Sequence, residues 1–239
     1  MLSLPLCVRE WIIDPLRSLA FPPICPACGS SLPDATRDLC RDCAEALDAA
    51  VLPAEALHRV RAAFRAAAVL DDVLVLFYFD RQSPLQVLIH RMKYAGASSV
   101  GHNLGIRLGS VLARERVAGE FTGIVPVPLH SGRRRERGYN QAGLIARGIG
   151  SVLSLPVFDA LLVRQRSTAS QTGLTAAERT RNVAGAFTVY KGARELVREG
   201  RFLIVDDVLT TGATIEACAR ALKDEGAVCC SGAAVALAR

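Results

Sequence analysis

Short apolar runs alternate along the chain with longer amphipathic stretches. Four of the runs are rich in β-branched and small apolar residues: 73–79 (VLVLFYF), 122–129 (TGIVPVPL), 202–205 (FLIV) and 227–238 (AVCCSGAAVALA). They are nearly continuous in hydrophobicity, which predicts strands buried on both faces, as in a parallel sheet. Between them the apolar residues recur with a helical period. Pro84 opens one helix, with Leu85, Leu88, Ile89 and Met92 on a single face and Gly96 beyond its end. Residues 101–116 carry Leu104, Leu108, Val111 and Leu112 in the same pattern. Further helices run through Leu144, Ile145 and Ile149, and through Ile215, Cys218, Ala219 and Leu222. The Ala-rich stretch 42–65 is helical in pattern and broken at Pro53. Pro126 and Pro128 force the chain out of its sheet. Strands alternating with helices predict an α/β fold.

Composition agrees with this reading. A chain of 239 residues, 51% of them hydrophobic, can bury one sizeable α/β domain and carry a small appendage. Only 5% are aromatic, which suits Ala-, Val- and Leu-rich helices on a parallel sheet better than a β-sandwich. No apolar run reaches about 18 residues, so no integral membrane segment is expected. Arg9, Glu10, Asp14 and Arg17 interrupt the apolar start, which predicts a short amphipathic helix docked on the body and not a secretory leader. A cytoplasmic protein is the default expectation. The net charge of +6 favours anionic partners, whether nucleotides, polyphosphates or nucleic acid.

Cys25, Cys28, Cys40 and Cys43 form two C-x2-C pairs. That spacing lets two tight knuckles offer four thiolates to one ion, and predicts a closed, structural zinc site. Disulfides or an iron–sulfur cluster are the alternatives, the first disfavoured in a reducing compartment. The expected division is a zinc-binding module with its leading helix over residues 1–50, and an α/β domain over 51–239. Cys7, Cys218, Cys229 and Cys230 read as core positions.

The most informative stretch is 201–218, RFLIVDDVLTTGATIEAC. An apolar strand ends in Asp206 and Asp207. A loop follows with Thr210, Thr211, Gly212, Ala213 and Thr214, and then a helix. A helix N-terminus offers unpaired N–H groups to a phosphate, Gly212 allows close approach, and the threonine hydroxyls add donors. The two acids would repel a bare polyphosphate. They suit sugar hydroxyls or a cation, so the implied ligand is a ribose 5-phosphate. Both can serve one ligand only where the chain leaves extended geometry, which is expected just after Val205.

Arg133, Arg134, Arg135 and Arg137 follow the strand at 122–129. Open α/β sheets place ligands at such strand ends. Clustered arginines suit pyrophosphate or equally a nucleic-acid backbone. The polar excursion after Leu161 includes Gln171, Arg179 and Asn182, with Thr175 and Glu178 spaced as a helix capping box. It could be a hood over the ligand or a solvated surface helix.

The run VDDVLTTGAT resembles the phosphoribosyl pyrophosphate (PRPP) motif of type I phosphoribosyltransferases. With the cysteine pairs, PLQVLIHRMKYAG, VPVPLHSGRRRERGYNQA and RQRSTASQTGLTAAERTRNVAGAF, the chain from about Phe21 onward is similar to the ComF family, associated with competence. The resemblance implies a type I phosphoribosyltransferase fold, a central parallel sheet flanked by helices with a hood, plus a four-cysteine zinc module. It implies PRPP with Mg2+, with Asp206 and Asp207 on the ribose hydroxyls and residues 210–214 on the 5-phosphate. Arg133, Arg134, Arg135 and Arg137 would take the pyrophosphate or a DNA backbone, and Gln171, Arg179 and Asn182 would belong to the hood. It implies transfer of phosphoribose to a nitrogen acceptor that the residues do not name. A different role is also implied: sensing PRPP or a nucleotide, or handling single-stranded DNA with a competence helicase during DNA uptake.

Overall fold

In the computed structural model, residues 23–33, 38–80, 83–115, 121–165 and 185–238 are described. The amphipathic start with Cys7, and the excursion with Gln171, Thr175, Glu178, Arg179 and Asn182, lie outside them. In chain order the elements are α1 (Arg41–Ala49), α2 (Ala54–Ala66), β1 (Asp72–Phe79), α3 (Pro84–Tyr94), α4 (Ser98–Arg114), β2 (Gly123–Pro126) and α5 (Ser131–Arg137). They continue with α6 (Gln141–Leu153), β3 (Leu162–Arg164), β4 (Phe187–Val189), α7 (Arg194–Val197), β5 (Arg201–Leu209), α8 (Ala213–Lys223) and β6 (Cys229–Ala238). A central sheet of four parallel strands has the order β1-β6-β5-β2. A small antiparallel ribbon pairs β3 with β4.

Both faces of the sheet are covered, which is why its strands read as unbroken apolar runs. Along β5 the side chains alternate between two cores. Phe202 and Ile204 pack with Val73, Val125, and Ile215, Cys218 and Leu222 of α8. Leu203 and Val205 pack with Leu88, Leu104, Leu108, Ile145 and Ile149 of α3, α4 and α6. All four β5 side chains are buried, and each such burial contributes about 1.5–3 kcal/mol before conformational entropy is counted. Leu39 and Leu47, beside the cysteine pairs, join the second core with Leu85 and Leu88 of α3.

Local signals set several boundaries. Ser83 caps α3 by accepting the Gln86 N–H at 3.3 Å, with Pro84 in the first turn. Pro53 separates α1 from α2, as expected. The helix expected at 101–116 begins at Ser98. The arginine run forms a helix of its own, α5. His130 Nδ1 accepts the Gly132 N–H at its start, and Gly138 ends it at a φ of 78°.

Helices α4 and α6 meet along a seam of glycines. A Cβ at Gly105 would overlap the Ile145 carbonyl oxygen, and a Cβ at Gly148 would overlap the His102 carbonyl oxygen. Gly109 faces the Ile149 backbone, where a Cβ would lie 3.1 Å from its Cα. Backbone therefore packs on backbone here. This fixes α6, and with it Asn140 and Gln141 at its start, against the body of the protein.

Candidate functional site

Strand β2 pairs with β5 only as far as Pro126 opposite Val205. Strand β5 continues beside β6 to Leu209 opposite Leu237. The overhang opens a cleft of about 710 Å³ at the C-terminal ends of the parallel strands. It also changes one expectation. Asp206 and Asp207 do not follow the strand; they lie on it, because β6 keeps supplying backbone partners past Val205. Both acids nevertheless line the cleft, since β2 has already turned away.

On this wall the carboxylates hold their own backbone. Asp206 Oδ1 accepts the Asp207 N–H at 2.9 Å, and Asp207 Oδ1 accepts the Val208 N–H at 2.8 Å. The second oxygen of Asp207 meets Lys93 Nζ, from the end of α3, at 2.6 Å. Burial, and then the Asp207 charge, push the Asp206 carboxyl up to about 7, while Lys93 acts in the opposite direction. The loop after β5 ends at Gly212, which N-caps α8 at a φ of 81°. Thr210, Gly212 and Thr214 line the cleft. Thr211 Oγ1 accepts the Ala213 N–H at 3.4 Å within the loop. Beneath Gly212 lies the Phe64 ring of α2, so close that a Cβ would overlap it.

The opposite wall is α5 and the start of α6. Arg133 and Arg137, four residues apart and so on one helix face, line the cleft with Glu136. Arg134 and Arg135 are exposed and do not line it. Arg137 is held on two sides. Its Nη1 donates to Oε1 of buried Gln141 at 3.1 Å, and its guanidinium lies 5.2 Å over the Tyr94 ring. Arg164, on β3, adds a further cation that stacks 5.3 Å over Phe187. Tyr139 does not face the cleft as an open stacking surface: its hydroxyl donates to the Met92 carbonyl at 2.6 Å. Lys93, Arg164, Tyr94 and Gln141 thus join the cleft without having been assigned to it from the sequence.

The cysteine pairs form a second site. Cys25 N–H donates to the Ser30 carbonyl at 2.7 Å, and the Gly29 N–H donates to the Cys25 carbonyl at 2.9 Å, which closes the first knuckle. Cys40 caps α1 and Cys43 sits in its first turn, where burial first, and then the neighbouring sulfurs, push the Cys43 thiol up. All four sulfurs lie within 4.8 Å of one another, with Cys28 and Cys40 at 3.6 Å. Tetrahedral zinc with bonds of about 2.3 Å needs sulfurs about 3.8 Å apart, so the four residues could hold zinc with little movement. The Ser30 hydroxyl, first among its neighbours, lowers the Cys28 thiol to about 6, toward the form a metal needs. Among the described residues, no helix is long and apolar enough to cross a membrane.

Comparison with known proteins agrees with this architecture. A family profile described as a phosphoribosyl transferase domain matches residues 136–239. Competence protein F of Haemophilus influenzae is 29% identical over 159 residues, covering 65% of this chain and 68% of that protein. DNA utilization protein YhgH of Escherichia coli K12 is 36% identical over 152 residues, covering 62% and 65%. Competence protein ComFC of Bacillus subtilis is 26% identical over 203 residues, covering 85% and 72%. The chain thus spans about two thirds of the length of the first two relatives. A solved structure described as the allosteric regulatory enzyme of purine biosynthesis aligns at 23% identity and a TM-score of 0.36, over 56% of this chain and 25% of that one. A parallel sheet with a phosphoribosyltransferase profile over its C-terminal part, a four-cysteine cluster ahead of it and these competence and DNA-utilization relatives together support a ComF-family protein with a phosphoribosyltransferase-like domain.

Proposed function

We propose that the cleft binds PRPP with magnesium and that the protein transfers the phosphoribosyl group to a nitrogen acceptor. One observation carries this reading. The acid pair and the loop at the α8 N-terminus form one wall of a single cleft, and Arg133 and Arg137 form the other. The loop around Thr210, Gly212 and Thr214 would hold the 5-phosphate by backbone N–H groups and hydroxyls. Asp206 and Asp207 would accept hydrogen bonds from the ribose hydroxyls. Arg133 and Arg137 would take the pyrophosphate, with the forked guanidinium of Arg137 preset by Gln141 and Tyr94. Magnesium would neutralise part of the pyrophosphate charge.

In the transfer, the acceptor nitrogen forms a bond to C1 of the ribose as the C1–oxygen bond to pyrophosphate breaks. The bonding pair leaves with pyrophosphate, and the proton of the acceptor nitrogen passes to water. Positive charge builds at C1 and negative charge on the leaving group, which the arginines are placed to stabilise. Residues 1–50 would serve as a zinc-stapled module of the 51–239 domain. Calorimetric titration of PRPP and magnesium into zinc-loaded protein tests the site. Wild type is expected to bind, and the double variant Asp206→Asn, Asp207→Asn to lose at least about 100-fold in affinity while keeping its circular dichroism. Equal binding by the two proteins would overturn the reading.

A second reading has its own support. Arg134 and Arg135 face solvent outside the cleft, and the relatives are named for competence and DNA utilization. This surface would contact a single-stranded DNA backbone, with the cleft sensing PRPP or a nucleotide. Affinity for a single-stranded oligonucleotide would then fall steeply with salt, and Arg134→Gln with Arg135→Gln would flatten that slope by about two charges. An unchanged slope would remove this reading.

A further inference from the structure

Lys93 is a cation of the cleft in direct contact with the acid pair. It comes from the last turn of α3, whereas both acids sit on β5. Its ammonium lies 2.6 Å from Asp207 Oδ2, and both side chains are mostly buried, at 23% and 13% exposure. Asp207 Oδ1 is already committed to the Val208 N–H. The carboxylate is therefore fixed at both oxygens, and its plane is set by a residue from another element.

We infer that Lys93 is a positioning residue of the phosphoribosyl site: its ammonium aims Asp207 into the cleft and offsets the negative charge of the two adjacent acids. This rests on the proposed ligand, but its physical basis does not. Adjacent carboxylates on one strand repel each other, and a nearby cation offsets part of that repulsion. The groups that face the pair can be named. They are Arg133, Glu136 and Arg137 from α5, Arg164 from β3, Cys218 beneath Asp206 from α8, and Lys93 itself. Lys93 supplies the ion pair to Asp207. Arg137 is turned toward Gln141 and Tyr94, while Arg164 stacks on Phe187 and its charge also acts on Asp206.

The role separates from that of a plain structural ion pair. Lys93 lowers the proton affinity of Asp206. Removing its charge should raise the Asp206 midpoint above about 7, so that more of the pair is protonated at neutral pH. Ligand binding that favours the ionised pair should then suffer most below the Asp206 midpoint and recover as pH rises.

Two measurements test this on the zinc-loaded full chain. The first needs no ligand: carboxyl-carbon NMR titration of aspartate-labelled wild type, Lys93→Met and Lys93→Arg, with Asp206→Asn to assign the signal. The Asp206 midpoint should rise by about one pH unit in Lys93→Met and return toward wild type in Lys93→Arg. The second is calorimetry with PRPP and magnesium from about pH 6 to about pH 9. Lys93→Met should bind about fivefold more weakly at pH 7 and about tenfold more weakly at pH 6, with the deficit narrowing toward the alkaline end, and Lys93→Arg should recover much of the loss. An unmoved Asp206 midpoint, or a Lys93→Met binding curve parallel to wild type at every pH, would overturn the inference. If wild type binds no PRPP, the ligand assignment falls, and the NMR titration still decides whether Lys93 sets the charge of the pair.

Discussion

Gly212→Ala is expected to destabilise the protein by about 3 kcal/mol and to remove phosphate affinity from the cleft. Two causes act together. Gly212 has a φ of 81°, where a Cβ costs roughly 1–2 kcal/mol. The added methyl would also overlap the Phe64 ring, and overpacking of a buried side chain costs about 1–3 kcal/mol. Phe64 is itself buried, so it cannot swing to solvent without losing its place over β1. Relief of the clash would instead move the loop, and with it the N–H groups at the head of α8. A double-mutant cycle separates the causes. Phe64→Ala alone should cost about 3–4 kcal/mol. In the double variant the two losses should fall short of their sum by at least about 1 kcal/mol, because the ring that obstructs the methyl is gone. Strict additivity in urea unfolding would show that the ring does not limit residue 212. PRPP affinity should stay low in the double variant, since the backbone strain remains.

Metal removal is expected to have the other large effect. Zinc analysis of the purified chain should give one ion per molecule. Cys43→Ser, or chelation, should release it and lower the melting temperature by about 10 °C. Structural zinc sites contribute several kcal/mol to folding, and each kcal/mol moves a chain of this size by about 2–4 °C. The cause lies in how the cysteine pairs are packed. Cys25, Cys43, Leu39 and Leu47 are buried in the same core as Leu85 and Leu88 of α3. Loosening the knuckles uncovers that side of α3, whose far end carries Lys93 and Tyr94 into the cleft. PRPP affinity should therefore fall along with stability. A chain that melts at the same temperature with and without metal would show that the four cysteines are not a staple.

Much of this arrangement was legible in the residues. The strands at 73–79 and 227–238 and the helix opened by Pro84 are near their expected positions, because burial on both faces or on one stripe leaves a direct pattern. The extent of β5 was not legible, since its last residues are held by β6, a partner distant in sequence. Strands β3 and β4, of three residues each, carry too little pattern to stand out, and their pairing spans the excursion between them. The arginine run has no apolar period, so α5 was read as charge and not as a helix. That hid the phase that turns Arg133 and Arg137 inward and leaves Arg134 and Arg135 in water. The 210–214 loop was visible because its threonine and glycine chemistry is local. Lys93 and Arg164 were not assigned to the cleft because each enters from an element whose position only the folded sheet determines. The zinc spacing, in contrast, is a local constraint, and the four sulfurs converge as it implies.

The glycine seam between α4 and α6 bears on how the cleft can move. Two helices in backbone contact cannot slide past each other without collision, so they behave as a single strut. One end of that strut holds Asn140 and Gln141, and Asn140 is tied to the Val127 carbonyl at 3.0 Å. The arginine wall is thus hung from a fixed post. Among the described residues, adjustment to a ligand would come from rotation of the short α5 about Gly138, from side chains, or from the 210–214 loop across the cleft. In mechanical terms the seam makes one jaw of the site a stator, and leaves the work of closing to whatever faces it.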